Sequence, residues 1–134
     1  MLITRECDYA VRVLRAMAGK ERVSVGEICE EELITAPFAY KILKKLQESG
    51  FVRGYRGVHG GYSLDCDLAE VTLYDVYTAI DPGMFIIDCL DPKYDCARNG
   101  RGGTACTVHR ELCEIQGELS RMLRRRSLKE LMKS

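Results

Sequence analysis

Three cysteines and a histidine lie close together late in the chain. They are Cys89, Cys96, Cys106 and His109, in the pattern Cys-x6-Cys-x9-Cys-x2-His. Thiolate sulfur binds soft metals, and a neutral imidazole can complete the ligand shell of zinc or of an iron-sulfur cluster. The spacing differs from that of the ferredoxin runs and from the short cysteine pairs of zinc fingers. The four residues therefore indicate a metal or iron-sulfur site without identifying which.

Cysteine count and hydrophobic pattern bear on the compartment in which the chain folds. The chain contains seven cysteines, an odd number, and its first residues show no apolar stretch typical of an export signal. Both features argue against a disulfide scaffold, and no apolar run is long enough to cross a bilayer. We therefore expect a cytoplasmic protein with no membrane partner.

The opening residues predict a helix that packs on a core. Apolar side chains recur at alternating steps of four and three, which places them on one helical face that ends near Gly19. Cys7 belongs to this stripe, so we interpret it as a core residue. The stripe consists of Ile3, Cys7, Ala10, Leu14 and Met17.

Two further helices joined by a tight turn predict a helix-turn-helix. Ser24 and Glu27 form a capping-box pattern at the start of the second helix. Thr35 is suited to cap a third helix with Pro37 in its first turn, and Gly50 ends that helix. Its inner face is apolar. On or near its outer face lie Pro37, Phe38, Tyr40, Lys41, Lys44 and Lys45.

A β-hairpin follows directly and completes a winged helix. The extended segments 51–57 and 62–64 flank a turn at 58–61 that contains two adjacent glycines. Thr72 and Asp75 then cap a further helix. We expect a mainly α fold with a small hairpin, and we divide the chain into three parts. These are a winged helix-turn-helix DNA-binding domain at 1–82, a cysteine-bearing loop at 83–105, and a dimerisation helix with a terminal helix at 106–134.

The last long helix carries an apolar heptad pattern. It starts at residue 104 or 107 and continues to about residue 126. The regular spacing favours helix pairing between two protomers, and packing on its own domain is the alternative. Cys106, His109 and Cys113 sit away from the apolar stripe, so one face would dimerise while the opposite face presents ligands. The predicted dimerisation residues are Val108, Leu112, Ile115, Leu119 and Met122.

The charge balance confines any nucleic-acid affinity to local patches. The 20 Lys and Arg residues equal the 20 Asp and Glu residues, so the chain has no net charge. Lys44 and Lys45 form one basic patch, for which a solvated helix face is the alternative interpretation. Arg56 lies between glycines on the wing. Net charge itself neither supports nor excludes DNA binding.

Together these features resemble the Rrf-type winged-helix transcription regulators, a family with an iron-sulfur branch, IscR, and a nitric-oxide-sensing branch, NsrR. The resemblance covers essentially the whole chain. The wing and the cysteine loop are specific in combination. The resemblance rests on Leu2-Ile3-Thr4 with Asp8-Tyr9-Ala10, the helix-turn-helix at 25–50, the wing at 56–62, the Cys106-x2-His109 ending of the loop, and Ser127-Leu128-Lys129-Glu130-Leu131.

The resemblance implies a homodimer that carries an iron-sulfur cluster. Cys89, Cys96 and Cys106 match the family's three cluster cysteines, and His109 resembles the fourth ligand of the IscR branch, which holds a 2Fe-2S cluster. We therefore expect 2Fe-2S in preference to 4Fe-4S. The spacing departs from the family, because six and nine residues separate the cysteines where the family usually has five.

The fourth ligand has alternatives. Asp8 falls where the NsrR branch supplies a carboxylate to a 4Fe-4S cluster. Cys113 or water could also complete the site. Asp8 is the principal alternative to His109.

The resemblance further implies binding to double-stranded operator DNA, with the third helix in the major groove and the wing in the minor groove. Tyr40 stands where the IscR branch has an operator-discriminating glutamate, so the operator sequence does not transfer. The predicted DNA-binding residues are Thr35, Pro37, Phe38, Tyr40, Lys41, Lys44, Lys45 and Arg56.

We expect a transcription regulator controlled by an iron-sulfur cluster, with no enzymatic activity and no small-molecule substrate. The chain has no Cys-x-x-Cys pair and no clear base and nucleophile arrangement. A cluster-free regulator that responds by thiol oxidation and a zinc-stabilised winged-helix adaptor are the alternatives. The signal and the direction of regulation stay open.

Overall fold

The computed structural model describes residues 3–94, 96 and 106–132. Residues 95 and 97–105 of the expected cysteine-bearing loop lie outside these ranges, as does Leu2. The fold is mainly helical with one hairpin, as the sequence predicts. Its elements are α1 (Arg5–Met17), α2 (Val25–Glu32), α3 (Ala36–Glu48), β1 (Val52–Tyr55), β2 (Gly61–Leu64), α4 (Leu73–Ile80), a 3-10 helix (Asp88–Leu90), α5 (Thr107–Leu123) and α6 (Leu128–Leu131).

The core lies between α1, α3 and α4. Cys7 is fully buried, which confirms its interpretation as a core residue, whereas Ile3 precedes the helix and is exposed. The predicted inner face of α3 is also confirmed. Its fully buried residues are Ala39, Ile42, Leu43 and Leu46.

Side-chain caps explain where several helices begin. Ser24 Oγ accepts a hydrogen bond from the Glu27 amide at 3.1 Å, and Thr72 and Asp75 form a complete capping box. Each such cap contributes about 1 kcal/mol, because it satisfies an amide that the helix leaves unpaired. Thr35 occupies the cap position of α3 but makes no side-chain cap bond.

The wing is tied to the chain segment before α2. β1 and β2 pair antiparallel, with Val52 opposite Leu64. Val23 and Tyr62 exchange two backbone hydrogen bonds of 2.8 Å. This isolated antiparallel bridge pairs the segment before α2 with β2 of the hairpin. Gly61 has a φ of +118°, and an added Cβ would lie 2.7 Å from the Val23 carbonyl oxygen. Only glycine fits there without strain.

The end of the chain returns to the domain. α5 ends at Leu123, earlier than the expected limit near residue 126, and α6 follows after a short turn. Leu128 is fully buried, and its amide donates to the Val71 carbonyl at 2.7 Å. Ser127 caps α6, as predicted. In the described ranges no helix is both long and apolar enough to span a membrane.

Candidate metal centre and DNA-binding surface

The soft ligands come from two elements, the 3-10 helix and the first turns of α5. Cys89 lies in the 3-10 helix, and Cys106 is the N-cap residue of α5. The His109 amide donates to Cys106 Sγ at 3.4 Å, so the thiol itself caps the helix. His109 and Cys113 follow at helical spacing and therefore share one face of α5 with Cys106.

His109 lies between two thiols. Its Nδ1 is 3.5 Å from Cys89 Sγ, and its Nε2 is 3.4 Å from Cys113 Sγ. A neutral imidazole has one nitrogen that donates and one that accepts. His109 can therefore ligate a metal through one nitrogen while the other donates to a thiolate. The contact between His109 and Cys89 joins the first part of the cysteine-bearing loop to α5.

The cysteines act on one another electrostatically. Burial raises the pKa of the Cys89 thiol, and the negative charges of Cys96, Cys106 and Cys113 raise it further. A bound cation reverses this effect, because a metal favours the thiolate that coordinates it.

The donor set fits a soft metal or an iron-sulfur cluster, since it combines thiols with an imidazole. In the described part of the chain, no group of three or more His, Cys, Asp or Glu side chains is already arranged to hold a metal ion. Cys96 is half-buried. Residues 97–105, which connect it to Cys106, lie outside the described ranges.

Asp8 has a different environment. Its carboxylate lies on the exposed side of α1 and pairs with Arg12 one turn later, at 3.1 Å. It makes no recorded contact with Cys89, Cys96, Cys106 or Cys113 in the described ranges. The structure brings together Cys89, Cys106, His109 and Cys113, and it places Asp8 elsewhere.

The outer surface of α3 is less uniform than the sequence predicts. Pro37, Tyr40 and Lys44 are exposed. Phe38 is half-buried and packs edge-on against Tyr9 of α1, with ring centroids 5.1 Å apart. The Phe38 ring therefore helps to pack α3 against α1, and it lies beside the predicted DNA-binding face.

Glu6 on α1 contacts two of the lysines of α3. Its Oε1 lies 2.7 Å from Lys41 Nζ, and its Oε2 pairs with Lys45. Hydrogen bonds from Lys41 and Lys45 hold the pKa of Glu6 below its ordinary value, and the bond from Lys41 has the larger effect. Lys44 makes no recorded ion pair in the described ranges. Sequence reasoning missed Glu6, because the partners are separated by more than thirty positions in the chain.

Arg22 supports the wing, and sequence reasoning missed this residue as well. Its guanidinium lies 3.6 Å from the Tyr55 ring centroid and donates to the His59 carbonyl at 2.7 Å. Arg56 is exposed, as is the neighbouring Val58. In the sequence, Arg22 simply precedes a hairpin that contains tyrosines, and this order of residues does not predict which of them it contacts.

α5 exposes apolar side chains in the single chain. Val108, Ile115 and Met122 are 65%, 46% and 59% exposed. Leu112 is half-buried, and Leu119 packs partly against the core of its own domain. The alternative of packing on the same domain therefore applies to Leu119, while the three exposed residues leave an apolar stripe without a partner inside the described chain.

Comparisons with known proteins cover nearly the whole chain. A family model described as "Rrf2: Iron-dependent Transcriptional regulator" matches residues 3–134. The HTH-type transcriptional regulator IscR of Vibrio campbellii is 29% identical over 136 residues, covering 99% of this chain and 78% of that protein. Protein aau3 of Rhizobium meliloti is 31% identical over 99 residues, covering 72% of this chain and 64% of that protein.

Solved structures show the same fold. CymR (YrzC), the global cysteine regulator of B. subtilis, matches with a TM-score of 0.74 at 18% identity, covering 98% of this chain and 96% of its own. T. potens IscR matches with the same TM-score and identity, covering 98% and 86%. At this level of identity the likeness concerns the fold alone.

Proposed function

Because the chain belongs to the Rrf2 family of iron-dependent transcriptional regulators, we propose that it is a homodimer whose operator affinity is controlled by an iron-sulfur cluster. Its relatives are transcriptional regulators and not enzymes. The proposed ligands are Cys89, Cys96, Cys106 and His109, with Asp8 as the alternative fourth ligand. A 2Fe-2S cluster suits three thiolates and one imidazole better than a 4Fe-4S cluster.

The position of His109 carries this proposal. Its ring contacts Cys89 on one side and Cys113 on the other, and its amide contacts Cys106. Three thiols and an imidazole gathered on two neighbouring elements form a soft donor set, which supports a metal or cluster site here.

The ligands suggest how a signal reaches the dimer. A bound cluster supplies a link that iron limitation, oxidants or nitric oxide can break. Cys89 would ligate the cluster from the cysteine-bearing loop, while Cys106 and His109 would ligate it from α5. Since α5 also carries the proposed dimer stripe, ordering its first turns biases the arrangement of the two protomers.

DNA binding belongs to the winged domain. We place the exposed face of α3 in the major groove, where Tyr40 lies nearest the base edges and Lys41, Lys44 and Lys45 lie near phosphates. Arg56 enters the minor groove from the wing, and Arg22 holds the wing in position through Tyr55 and His59. These assignments rest on the family's DNA-binding activity and on the exposure of the side chains.

The test is anaerobic purification followed by iron, acid-labile sulfide and zinc analysis and a visible spectrum. We expect iron and sulfide in stoichiometric amounts and visible absorption from thiolate-bound iron. DNA-binding assays before and after cluster removal then show whether operator affinity changes. Stoichiometric zinc with no iron would replace this proposal by the zinc-stabilised alternative.

The thiol contacts of His109 also favour a second candidate, a cluster-free regulator that responds by oxidation of its cysteines. An adjacent imidazole stabilises a thiolate, which is the form that oxidants attack. Colourless, metal-free protein that loses DNA affinity reversibly on peroxide treatment supports this candidate over the cluster.

A further inference from the structure

The carboxylate of Glu6 pairs with two lysines of α3, the helix that we place in the major groove. Glu6 projects from the first turn of α1, and its two oxygens pair separately with Lys41 and Lys45 of α3. The Glu6 side chain is only 26% exposed, while those of Lys41 and Lys45 are 57% and 36% exposed. The carboxylate is thus set back against the domain, and the ammonium groups lie nearer the surface.

We propose that Glu6 is an affinity-determining residue that occupies Lys41 and Lys45 in the free protein and competes with DNA phosphates for them. Its two oxygens meet the two ammonium groups as the oxygens of a phosphate would. DNA binding then exchanges one anion for another at these lysines. Such an exchange contributes less to affinity than the pairing of a phosphate with an unpartnered lysine.

The surroundings support competition. Phe38 and Lys45 line a depression next to Glu6, together with Thr4, Arg5, Ile80 and Asp81. The two lysines and Glu6 carry a net charge of one positive unit, whereas Lys44 on the same helix keeps its full charge. A phosphate that approaches Lys41 also approaches the Glu6 carboxylate, which repels it.

This arrangement weakens binding to DNA of any sequence, because phosphate contacts carry no sequence information. Contacts to base edges are unaffected, so Glu6 lowers the affinity for operator and for non-operator DNA alike. The inference rests on the family's DNA binding through α3. It is independent of the metal centre, so absence of a cluster leaves it standing.

The test compares Glu6→Gln with Glu70→Gln in the full chain. Both changes remove one negative charge, but Glu70 is exposed, lies outside the helix-turn-helix and has no recorded ion pair in the described ranges. Binding to a duplex of mixed sequence is measured by fluorescence anisotropy across a series of salt concentrations. Glutamine keeps the size of the side chain at residue 6, and circular dichroism checks the fold.

Glu6→Gln should bind the mixed-sequence duplex roughly tenfold more tightly than Glu70→Gln near 0.1 M salt, with a salt slope steeper by about 0.9 for each additional phosphate that the released lysines neutralise. Identical affinities and slopes for the two variants would show that Glu6 does not compete. Weaker binding by Glu6→Gln would equally overturn the proposal, since it would mean that Glu6 positions the lysines for DNA.

A second pair of variants leaves Glu6 intact. Lys44→Ala removes a lysine without an ion-pair partner in the described ranges, whereas Lys45→Ala removes one that is already paired with Glu6. Lys44→Ala should therefore reduce both the affinity and the salt slope more than Lys45→Ala does. Equal losses for the two variants contradict the competition.

Discussion

The cysteines of this chain lie in two regions that give the thiol different surroundings. In the winged domain Cys7 is fully buried, and Cys66 is half-buried, where burial raises the pKa of its thiol. Beside α5, Cys106 caps a helix, and Cys113 contacts the ring of His109. Exposure alone does not separate candidate ligands from packing residues, because Cys66 and Cys106 are both half-buried. The neighbouring imidazole and the sharing of one helix face distinguish them.

The largest expected effect is the loss of the metal centre. Cys106→Ser should abolish or strongly reduce the visible absorption of anaerobically prepared protein, because a serine hydroxyl does not replace a thiolate as a ligand of iron. Serine is itself a favoured N-cap, so α5 should start at the same residue. Cys66→Ser is the matched control from the other region. Equal bleaching by both variants would remove the distinction between the two regions.

The next effect concerns the apolar stripe of α5. Ile115→Glu should weaken the dimer by at least about 3 kcal/mol, since pairing of the helices would bury an unpaired charge. Ile115 is 46% exposed in the single chain, so the protomer should still fold. Gly117→Glu adds the same charge on the opposite side of α5, where an added Cβ meets no neighbour. Sedimentation velocity distinguishes a monomer from a dimer, and an unchanged dimer for Ile115→Glu contradicts the stripe.

In the winged domain the expected effect is on stability. Gly61→Ala should destabilise the protein by about 2 to 3 kcal/mol, because the new Cβ meets the Val23 carbonyl and the backbone conformation is strained. Gly19→Ala is the control, with a φ of +73° but open space around its Cβ, and it should reduce the free energy of unfolding by about 1 kcal/mol. Urea denaturation measures both. Equal losses would mean that the Val23 contact contributes nothing.

Arg56→Ala tests whether the two regions have separate tasks. It should weaken operator binding by about 1 to 3 kcal/mol, measured on a DNA site obtained by selection, because the wing loses its minor-groove contact. The visible spectrum should be unchanged, since Arg56 lies on the wing. A variant that binds the selected site as tightly as the parent protein excludes the wing arginine from recognition.

The smallest effect expected is that of Asp8→Ala. The exposed pair with Arg12 contributes only about 0.3 to 0.5 kcal/mol, and the spectrum should not change if His109 is the fourth ligand. His109→Ala should instead shift the spectrum and make the centre more labile. A spectrum that depends on Asp8 and not on His109 would reverse the choice of fourth ligand.

Local signals were sufficient for most of the fold. The caps at Ser24, Thr72 and Ser127 and the glycine-rich wing turn each depend on residues a few positions apart, so the sequence displays them directly. The helix spacing also placed Cys106, His109 and Cys113 on one face. These features were predictable because hydrogen bonds within one turn leave a fixed pattern of residue types.

Contacts between distant segments were not predictable from the same patterns. Arg22 reaches the wing across 37 positions, and Glu6 reaches Lys45 across 39. Charged and aromatic side chains occur on every solvated surface, so their types do not reveal a partner. The 3-10 helix that carries Cys89 was also missed, because three residues are too few for a periodic signal. The sequence therefore indicates candidate ligand residues but not the long-range contacts that position them.

The anchoring of α6 gives α5 the mechanics of a lever. Leu128 is buried in the core and hydrogen-bonded to Val71, which anchors the end of α5 near Leu123. The 17 residues of α5 extend about 25 Å from that anchor to Cys106. The Gln116 side chain accepts a hydrogen bond from the Ile86 amide at 2.9 Å, so the segment that carries Cys89 is also tied to the middle of α5. A rotation of about 10° about the anchor would move the far end by roughly 4 Å and carry that segment with it.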